Sequence, residues 1–524
     1  MKLIKARIQN FRSIDDSGEF GIDQVTCLVG KNEAGKSAVL LALAALNPHP
    51  STPIALDQER DYPRRFLTQY QTRHATDHAV TATTTWQLEP NEIAAVEAEM
   101  GEGAFKKTEL VISRRYTEAP EWQLSINFPI IIEHLFNSYK LSATERSSLK
   151  SASTTNELLS ILSQLGAPTN KHTELRQKLE TWSSATNRIK NILKPYLPTF
   201  MYFSNYDRMD GAIQVQQTRD LATSGQIELE SRRGQKLFAE FLSYAGITLD
   251  EVLSIATYET FDARLQAASN NITDQILEYW TQNPDLSVNV KVEAARPGDE
   301  SPFNTGTVAR ARIHNSLHRV DTPFSERSAG FVWFFSFLVK FAQVKSADKP
   351  VILLLDEPGL TLHGKAQADL LRFFDEKLAP FHQIIYSTHS PFMVAADKLS
   401  SARIVEDQVE YKNGRRMPLG TKVRVDVLHR DPDTLFPLQG ALGYEITQSL
   451  FIGKNTLLVE GPSDILYLHA LSEALNTRGR TKLDPRWALC PSGGIDKIRP
   501  FVALFGANAL NVAVLSDQGT EPAP

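Results

Sequence analysis

The sequence predicts an α/β protein whose central strands are covered on both faces, and three segments carry this prediction. Residues 25–29 form a short apolar strand, which a glycine-rich turn and a helix from Ser37 to Leu46 follow. Residues 350–355 form a continuous apolar run, as strands buried on both faces do. Another short apolar strand follows at residues 384–387. Strands that alternate with helices in this way indicate an α/β fold.

Further strands precede and follow these segments. Residues 2–9 roughly alternate between apolar and polar side chains, which is typical of a half-buried strand. A hairpin turn is predicted around Asn413-Gly414, and a helix at residues 463–476. The other predicted strands cover residues 79–88, 109–116, 286–295, 306–313, 455–459 and 511–515.

The residues between about 130 and 285 have a different composition, dominated by Glu, Leu, Gln, Ala and Ser. Helical spacing is visible in Glu157–Leu165 and Thr173–Leu193. Prolines at 168, 195 and 198 interrupt the pattern. A long coiled coil requires several uninterrupted heptads, so we predict a compact helical insertion instead.

Composition and charge exclude several classes of protein. With 42% hydrophobic and 22% charged residues, the chain is neither collagen-like nor disordered throughout. Its net charge of −5 means that nucleic-acid binding would require a local basic surface. The two cysteines, Cys27 and Cys490, offer no disulfide framework and no zinc cluster. No apolar run approaches the roughly 20 residues of a membrane-spanning helix, and the N-terminus lacks a signal-peptide pattern, so we expect a cytoplasmic protein.

A phosphate-binding loop is predicted between the first buried strand and the helix that follows it. The segment Gly30–Ser37, GKNEAGKS, fits G-x-x-x-x-G-K-[ST] in full. In this pattern glycines let backbone amides surround a triphosphate, the lysine contacts the β- and γ-phosphates, and the hydroxyl binds Mg²⁺. The residues predicted to hold ATP and its Mg²⁺ are Gly30, Asn32, Gly35, Lys36 and Ser37.

Two acids end the apolar strand at residues 351–355, as in a Walker B motif. Asp356 is predicted to hold Mg²⁺ and Glu357 to act as the base that polarises the attacking water. His389 follows the next strand, where an imidazole could contact the γ-phosphate. We therefore predict that Glu357 and His389 are catalytic residues of an ATPase.

The segment Ser325–Gly330 precedes an apolar helix just before the Walker B strand. Small residues at a helix N-terminus can bind a phosphate, although Ser328 could equally be a simple helix cap. The position resembles that of the signature motif of ABC-type ATPases, which completes the ATP site of a second subunit. The resemblance makes Ser328 and Gly330 predicted ATP ligands across a dimer and places the D-loop at residues 359–367. Neither Gln69 nor Gln87 can be assigned as the Q-loop residue.

A strand at the C-terminal end leads into Glu460-Gly461-Pro462-Ser463-Asp464. Two carboxylates at a strand end can bind Mg²⁺, whereas Asp464 could also simply stabilise the N-terminus of a helix. This segment resembles the opening of a TOPRIM nuclease domain, in which the glutamate is catalytic. Together with Asn10–Ser13 and Leu442–Tyr444, these motifs resemble the OLD (overcoming lysogenisation defect) family of ATP-dependent nucleases, which includes the Gabija nuclease subunit.

The resemblance implies an ABC-type, SMC-like ATPase with a helical dimerisation insertion and a partial TOPRIM domain, acting on DNA in DNA processing or anti-phage defence. Its TOPRIM metal ligands, for Mg²⁺ or Mn²⁺, would be Glu460, Asp464 and Asp517. The chain departs from the family because only Asp517 matches the expected Asp-x-Asp, and a two-metal centre needs more carboxylates. DNA cleavage therefore stays open, and the alternative is a non-nucleolytic, ATP-gated sensor or scaffold.

We further expect a homodimer or higher oligomer and a partner protein encoded nearby. The predicted divisions are an N-terminal ATPase part (1–130), a helical dimerisation insertion (131–285), a C-terminal ATPase part (286–400), a connector (401–450) and a partial TOPRIM domain (451–524).

Overall fold

The residues that the structure describes fold into four β-sheets and a larger number of helices. The computed structural model describes residues 1–117, 119–244, 246–254, 258–279, 285–345, 351–394, 401–412, 415–424, 455–491 and 511–516. The strands are β1 (Lys2–Phe11), β2 (Ile14–Gly21), β3 (Val25–Val29), β4 (Val80–Gln87), β5 (Glu109–Arg115), β6 (Glu121–Gln123), β7 (Thr199–Ser204), β8 (Ala212–Gln214), β9 (Leu286–Ala294), β10 (Thr307–Asn315), β11 (Val320–Pro323), β12 (Val351–Asp356), β13 (Gln383–Thr388), β14 (Ala402–Lys412), β15 (Arg415–Arg424), β16 (Asn455–Val459), β17 (Trp487–Pro491) and β18 (Asn511–Leu515).

The α-helices are α1 (Lys36–Ala44), α2 (Gln58–Asp61), α3 (Tyr70–Arg73), α4 (Pro90–Met100), α5 (Phe128–Ser138), α6 (Ala143–Ser147), α7 (Thr155–Gln164), α8 (Asn170–Trp182), α9 (Ala185–Leu193), α10 (Val215–Thr223), α11 (Arg233–Tyr244), α12 (Leu249–Leu253), α13 (Tyr258–Tyr279), α14 (Ala329–Lys345), α15 (Gly364–Phe373) and α16 (Pro462–Thr477). Two units can be distinguished: Met1–His389 with Ser400–Leu428, and Ser390–Leu399 with His429–Pro524.

A six-stranded sheet with the order β15-β14-β3-β13-β12-β7 forms the centre of the first unit. All neighbours in it pair in parallel except β14 and β15. The phosphate-loop strand β3 and the Walker B strand β12 are therefore not adjacent, because β13 lies between them. Since β3, β13, β12 and β7 run in the same direction, their carboxyl ends lie at one edge of the sheet, which is where parallel sheets place ligand sites.

Helix α1 is packed between this sheet and an antiparallel sheet of order β2-β1-β4-β5-β6. Its apolar residues Val39, Leu40 and Leu43 are fully buried in the main hydrophobic core. In the same core, the rings of Trp86 on β4 and Phe200 on β7 meet edge to face at 6.1 Å. The predicted helix after the phosphate loop is thus confirmed, and burial on nearly all sides explains why its residues after Ser37 are all apolar.

The range predicted as a helical insertion, residues 131–285, also contains β7 and β8 and is corrected accordingly. Strand β7 is an edge strand of the central sheet, and most of its residues, TFMYFS, are buried. Strand β8 pairs with β10, whose other partners are β9 and β11. The helices before β7 and those after it are therefore separate groups. The composition of residues 131–285 is uniform, but strands β7 and β8 pair with distant strands and divide this range.

Helices α5 to α9 form the first of these groups, and their buried leucines belong to the same core as α1. The single helical stretch predicted from Thr173 to Leu193 is divided at Ser183, whose φ of 61° ends α8. Ser184 then caps α9, with its hydroxyl accepting a hydrogen bond from the Asn187 amide. Serine is a strong N-cap residue, so a new helix begins here although the apolar spacing continues across the break.

The predicted connector at residues 401–450 also requires correction. Strand β14 pairs in parallel with β3 through Ala402, Arg403 and Ile404, and β15 pairs with β14. Residues 402–412 and 415–424 therefore belong to the central sheet of the first unit. The hairpin predicted around Asn413-Gly414 joins these strands, but its turn lies outside the described residues.

The described part of the second unit contains a parallel three-stranded sheet with the order β17-β16-β18. The strands predicted at residues 455–459 and 511–515 and the helix at 463–476 are confirmed as β16, β18 and α16. Among the helices that the structure describes, none combines the length and the apolar character that crossing a bilayer requires.

Candidate functional site

The loop between β3 and α1 carries the predicted phosphate-binding sequence, and its two defining glycines are held tightly. Gly35 has a φ of +101°. A Cβ atom on Gly35 would lie 2.4 Å from Thr421 Oγ1, and one on Gly30 would lie 2.2 Å from the Val405 carbonyl oxygen. Both distances are shorter than van der Waals contact, so the glycines are required by packing against β14 and β15 as well as by the loop conformation itself.

Lys36 is the first residue of α1, and its side chain is only 5% exposed. Its Nζ donates hydrogen bonds to the carbonyl oxygens of Gly30 (2.8 Å) and Lys31 (3.0 Å). It also lies 3.1 Å from Glu357 Oε1. The ammonium group is thus held over the loop with three oxygen partners, while Asn32 is exposed in the same loop.

Ser37 and Asp356 are far apart in the sequence, and the fold places their side chains next to each other. The Ser37 hydroxyl donates to Asp356 Oδ1 at 3.0 Å. The same Oδ1 accepts from the Ser387 hydroxyl at 2.7 Å, and Oδ2 accepts from the Tyr202 hydroxyl at 2.8 Å. Burial and the neighbouring Asp356 carboxylate raise the pKa of Tyr202 well above its usual value, so the phenol stays a donor.

This arrangement matches what Mg²⁺ requires in a phosphate-loop ATPase. Magnesium prefers hard oxygen ligands and is usually held by one or two protein groups together with substrate phosphates. The Ser37 hydroxyl and the Asp356 carboxylate are such a pair, side by side at the start of α1 and the end of β12. The donor set therefore fits the metal, which would replace the direct hydrogen bond between the two side chains.

Glu357 follows Asp356 in a left-handed backbone conformation, with a φ of 48°. Its amide donates to Ser387 Oγ at 2.8 Å. Its carboxylate lies between two basic groups, since Oε1 faces Lys36 and Oε2 lies 2.9 Å from His389 Nδ1. The His389 contact has the distance of an ion pair but not the direction of a hydrogen bond. Left-handed non-glycine residues are strained and are concentrated at functional sites.

Residues 1–394 match the model of a family described as an AAA ATPase domain. The chain belongs to this family. The match covers the phosphate loop, the Walker B acids and His389, which are the residues that the structure brings together in one site. No curated protein matches the chain.

Solved structures similar to the ATPase include three SMC head domains. One is the SMC head domain from Thermotoga maritima (13% identity, covering 80% of this chain and 99% of that chain, TM-score 0.31). A second is an SMC head bound to the C-terminal winged-helix domain of ScpA (13% identity, 80% and 98% covered, TM-score 0.35). The third is an SMC head with an extended coiled coil, bound to the C-terminal domain of ScpA from Pyrococcus furiosus (15% identity, 80% and 95% covered, TM-score 0.32).

Three residues of the ATPase site were missed by the sequence analysis. Tyr202 and Ser387 were missed because nothing local marks a tyrosine or serine inside an apolar strand as a partner of Asp356. Asn205 follows β7, and its amide donates to the Asp356 carbonyl oxygen at 3.1 Å. Its buried Oδ1 has no hydrogen-bond partner among the described residues. The segment after β7 is thus bonded through its backbone to the end of β12, whereas Gln87 on β4 donates a hydrogen bond to the Thr108 hydroxyl.

The proposed signature segment lies at the N-terminus of α14. The Ser328 hydroxyl accepts from the Phe331 amide at 3.3 Å, so Ser328 does cap the helix, and its side chain is exposed. A Cβ atom on Gly330 would lie 2.9 Å from the Thr361 carbonyl oxygen and 2.8 Å from Leu362. The contacts of Ser328 and Gly330 are therefore to their own helix and to the predicted D-loop.

Glu460 and Asp464 lie at the carboxyl end of β16 and in the first turn of α16. Asp464 Oδ2 accepts a hydrogen bond from the Gly461 amide at 2.9 Å, so this carboxylate caps the helix. Asp517 lies outside the described residues, as does the Leu442–Tyr444 motif. Within the described stretches, no group of three or more His, Cys, Asp or Glu side chains is placed to bind a metal ion.

Proposed function

We propose that the chain binds ATP with Mg²⁺ at the phosphate loop and hydrolyses it with Glu357 as the general base. The observation that carries this proposal is the hydrogen bond between Ser37 and Asp356, with Lys36 and Glu357 beside it. Bound Mg²⁺ would neutralise the charge that develops on the β- and γ-phosphates. Ser37 and Asp356 would hold the metal, and Lys36 would turn from Glu357 toward the phosphates.

Glu357 would take a proton from the attacking water as the water oxygen bonds to the γ-phosphorus and the bond to the ADP oxygen breaks. Its carboxylate is ion-paired with Lys36 before nucleotide binds. Moving Lys36 to the triphosphate would remove that partner and leave the carboxylate free to accept the proton. The resting structure thus supports a base that becomes available only when nucleotide is present, with His389 on its other oxygen.

We also propose that the ATPase works as an ABC-type homodimer in which Ser328 and Gly330 contact the nucleotide held by the second copy. The support is the exposure of Ser325, Ser328 and Ala329 at the start of a 17-residue helix. A helix N-terminus presents unpaired amides and a partial positive charge to an anion. A dimer contact through the helices inside 131–285 is proposed on the OLD-family resemblance.

The substrate that we propose for the second unit is DNA, cleaved with Mg²⁺ or Mn²⁺ under the control of ATP. The support is the position of Glu460 and Asp464 at the carboxyl end of the middle strand of a parallel sheet, together with the OLD-family resemblance of this segment. The use of Asp464 as a helix cap favours the second candidate, an ATP-gated sensor or scaffold that recruits another effector.

A nicking assay on supercoiled DNA with purified chain, Mg²⁺ or Mn²⁺ and ATP separates these two functions. Cutting that depends on metal and is lost in Glu460→Ala, while ATP turnover persists, would establish the nuclease. Intact DNA under every condition, with ATP turnover present, would favour the sensor or scaffold. Lys36→Ala serves as the control for ATP dependence, because it changes the first unit only.

A further inference from the structure

Ser387 lies inside the site and contacts both Walker B acids. It is the fifth residue of β13 and is completely buried. Its hydroxyl donates to Asp356 Oδ1 at 2.7 Å and accepts from the Glu357 amide at 2.8 Å. One hydroxyl therefore joins the carboxylate assigned to the metal and the backbone of the residue assigned as the base.

The sheet register explains how these groups meet. Strands β12 and β13 pair in parallel, with Leu355 opposite Tyr386. The next residues along each strand are Asp356 and Ser387, so the serine is placed at the point where β12 ends. Parallel strands hold such neighbours at a fixed separation, and burial leaves the hydroxyl no solvent partner to exchange with.

One hydrogen bond of Ser387 holds the peptide of Glu357. Glu357 has a φ of 48°, which is unfavourable for a residue with a Cβ atom. A conformation of this kind persists only where surrounding contacts hold it, and the amide of Glu357 is held by the Ser387 hydroxyl. Because a serine hydroxyl has one proton, donating it to Asp356 leaves the lone pairs for the Glu357 amide.

We propose that Ser387 is a positioning residue for ATP hydrolysis, which aims the Glu357 carboxylate by holding its strained peptide against Asp356. The inference deepens the proposed function and rests on the assignment of Glu357 as the base. Ser387 acts through Glu357, so its loss changes the rate of turnover and leaves the phosphate-loop contacts of the nucleotide in place.

The test compares Ser387→Ala and Ser387→Thr for steady-state ATP turnover, each also in a Glu357→Gln background. Ser387→Ala should lower kcat by about 10- to 100-fold, the effect of leaving the Glu357 amide without its hydrogen-bond partner, with KM within about threefold. Ser387→Thr keeps the hydroxyl and should restore most of kcat. In the Glu357→Gln background and at saturating Mg²⁺, Ser387→Ala should cause no further loss of kcat, because the residue through which it acts is already disabled.

Tyr202→Phe is the matched comparison, since the Tyr202 hydroxyl also donates a hydrogen bond to Asp356 but has no hydrogen bond to Glu357 in the described structure. It should raise the Mg²⁺ concentration needed for half-maximal turnover, and its effect should persist in the Glu357→Gln background. If thermal unfolding shows that Ser387→Thr is unstable, the comparison of Ser387→Ala in the wild-type and Glu357→Gln backgrounds is sufficient to test the positioning role.

An equal loss of kcat from Ser387→Ala in the wild-type and Glu357→Gln backgrounds would overturn the inference. A wild-type kcat in Ser387→Ala, while Glu357→Gln is slow, would overturn it as well. Near-normal turnover in Glu357→Gln would instead overturn the assignment of the base, and the positioning role with it. The two failures are thus distinguishable from one set of variants.

Discussion

At the scale of single residues, the two Walker B acids have different kinds of partner. Lys36 and His389 both face the carboxylate of Glu357, and Asp356 accepts hydrogen bonds from three hydroxyl groups, those of Ser37, Tyr202 and Ser387. Buried charges are tolerated when they are paired in this way. The nearby thiol of Cys27 takes no part, because burial raises its pKa to about 12 and keeps it protonated.

Replacing Lys36 by alanine should abolish ATP turnover and weaken nucleotide binding by at least about tenfold, because the point charge on the β- and γ-phosphates is lost. Fluorescent ATP-analogue binding and phosphate release measure the two effects. Lys107→Ala, at an exposed lysine of the antiparallel-sheet region, is the control and should behave as wild type. Normal affinity and turnover in Lys36→Ala would refute the site assignment.

Replacing Glu357 by glutamine should leave ATP binding intact and slow hydrolysis by about 10²- to 10⁴-fold. The amide keeps the shape of the side chain but cannot accept the proton from water. Single-turnover hydrolysis measures the chemical step directly. Turnover within a few-fold of wild type would show that another group is the base.

Replacing Gly35 by alanine should destabilise the first unit by about 2 kcal/mol or more, through a positive φ and a clash with Thr421. Gly18→Ala is the matched control, since Gly18 has a φ of +74° but open space around it, and it should cost only about 1 kcal/mol. Denaturant unfolding measures both. Thr421→Ala in the Gly35→Ala background should recover part of the loss, and equal costs for the two glycine variants would disprove the contact.

At the scale of elements, secondary structure was predictable where a segment has a strong periodic or apolar pattern. Strand β12 and helix α1 are examples, because burial on several sides selects long apolar runs. Strand β7 was not predicted, since a short aromatic strand beside helices has no distinguishing period. The pairing of β14 with β3 could not be predicted either, because the two strands are more than 370 residues apart.

Helices α5 to α9 share the core of the ATPase, so they should unfold together with it. Leu175 on α8 is fully buried, and Leu175→Ala should lower the free energy of unfolding by about 2–5 kcal/mol. Glu174→Ala, one residue earlier and exposed, should change it by less than about 0.5 kcal/mol. Calorimetry should show one shifted transition for the first unit, whereas a separate low-temperature transition would show that these helices are an independent domain.

At the scale of the whole molecule, the proposed dimer connects the signature segment of one copy to the phosphate loop of the other. Glu357→Gln with ATP should therefore dimerise, because the nucleotide that joins the copies is not consumed. Adding Ser328→Arg should prevent this dimer through bulk at an exposed helix N-terminus, while each copy still binds ATP. Light scattering measures the mass, and Ser316→Arg, in an exposed turn between β10 and β11, is the control.

An unchanged dimer in the Ser328→Arg variant would place the contact elsewhere on the chain. A dimer that is equally stable without nucleotide would point to the helices inside residues 131–285 as the main contact. Each result assigns the interface to a different element.

The sequence by itself determined the phosphate loop, the Walker B acids and the α/β class of the fold. These features depend on residues that are adjacent in the chain, so local patterns are sufficient to show them. The tertiary structure decided that β13 separates β3 from β12, that β7 and β14 join the same sheet, and that the hydroxyls of Tyr202 and Ser387 and the backbone amide of Asn205 are bonded to Asp356. These contacts depend on strand pairing between distant residues, and no local property of a tyrosine or serine shows which carboxylate it will contact.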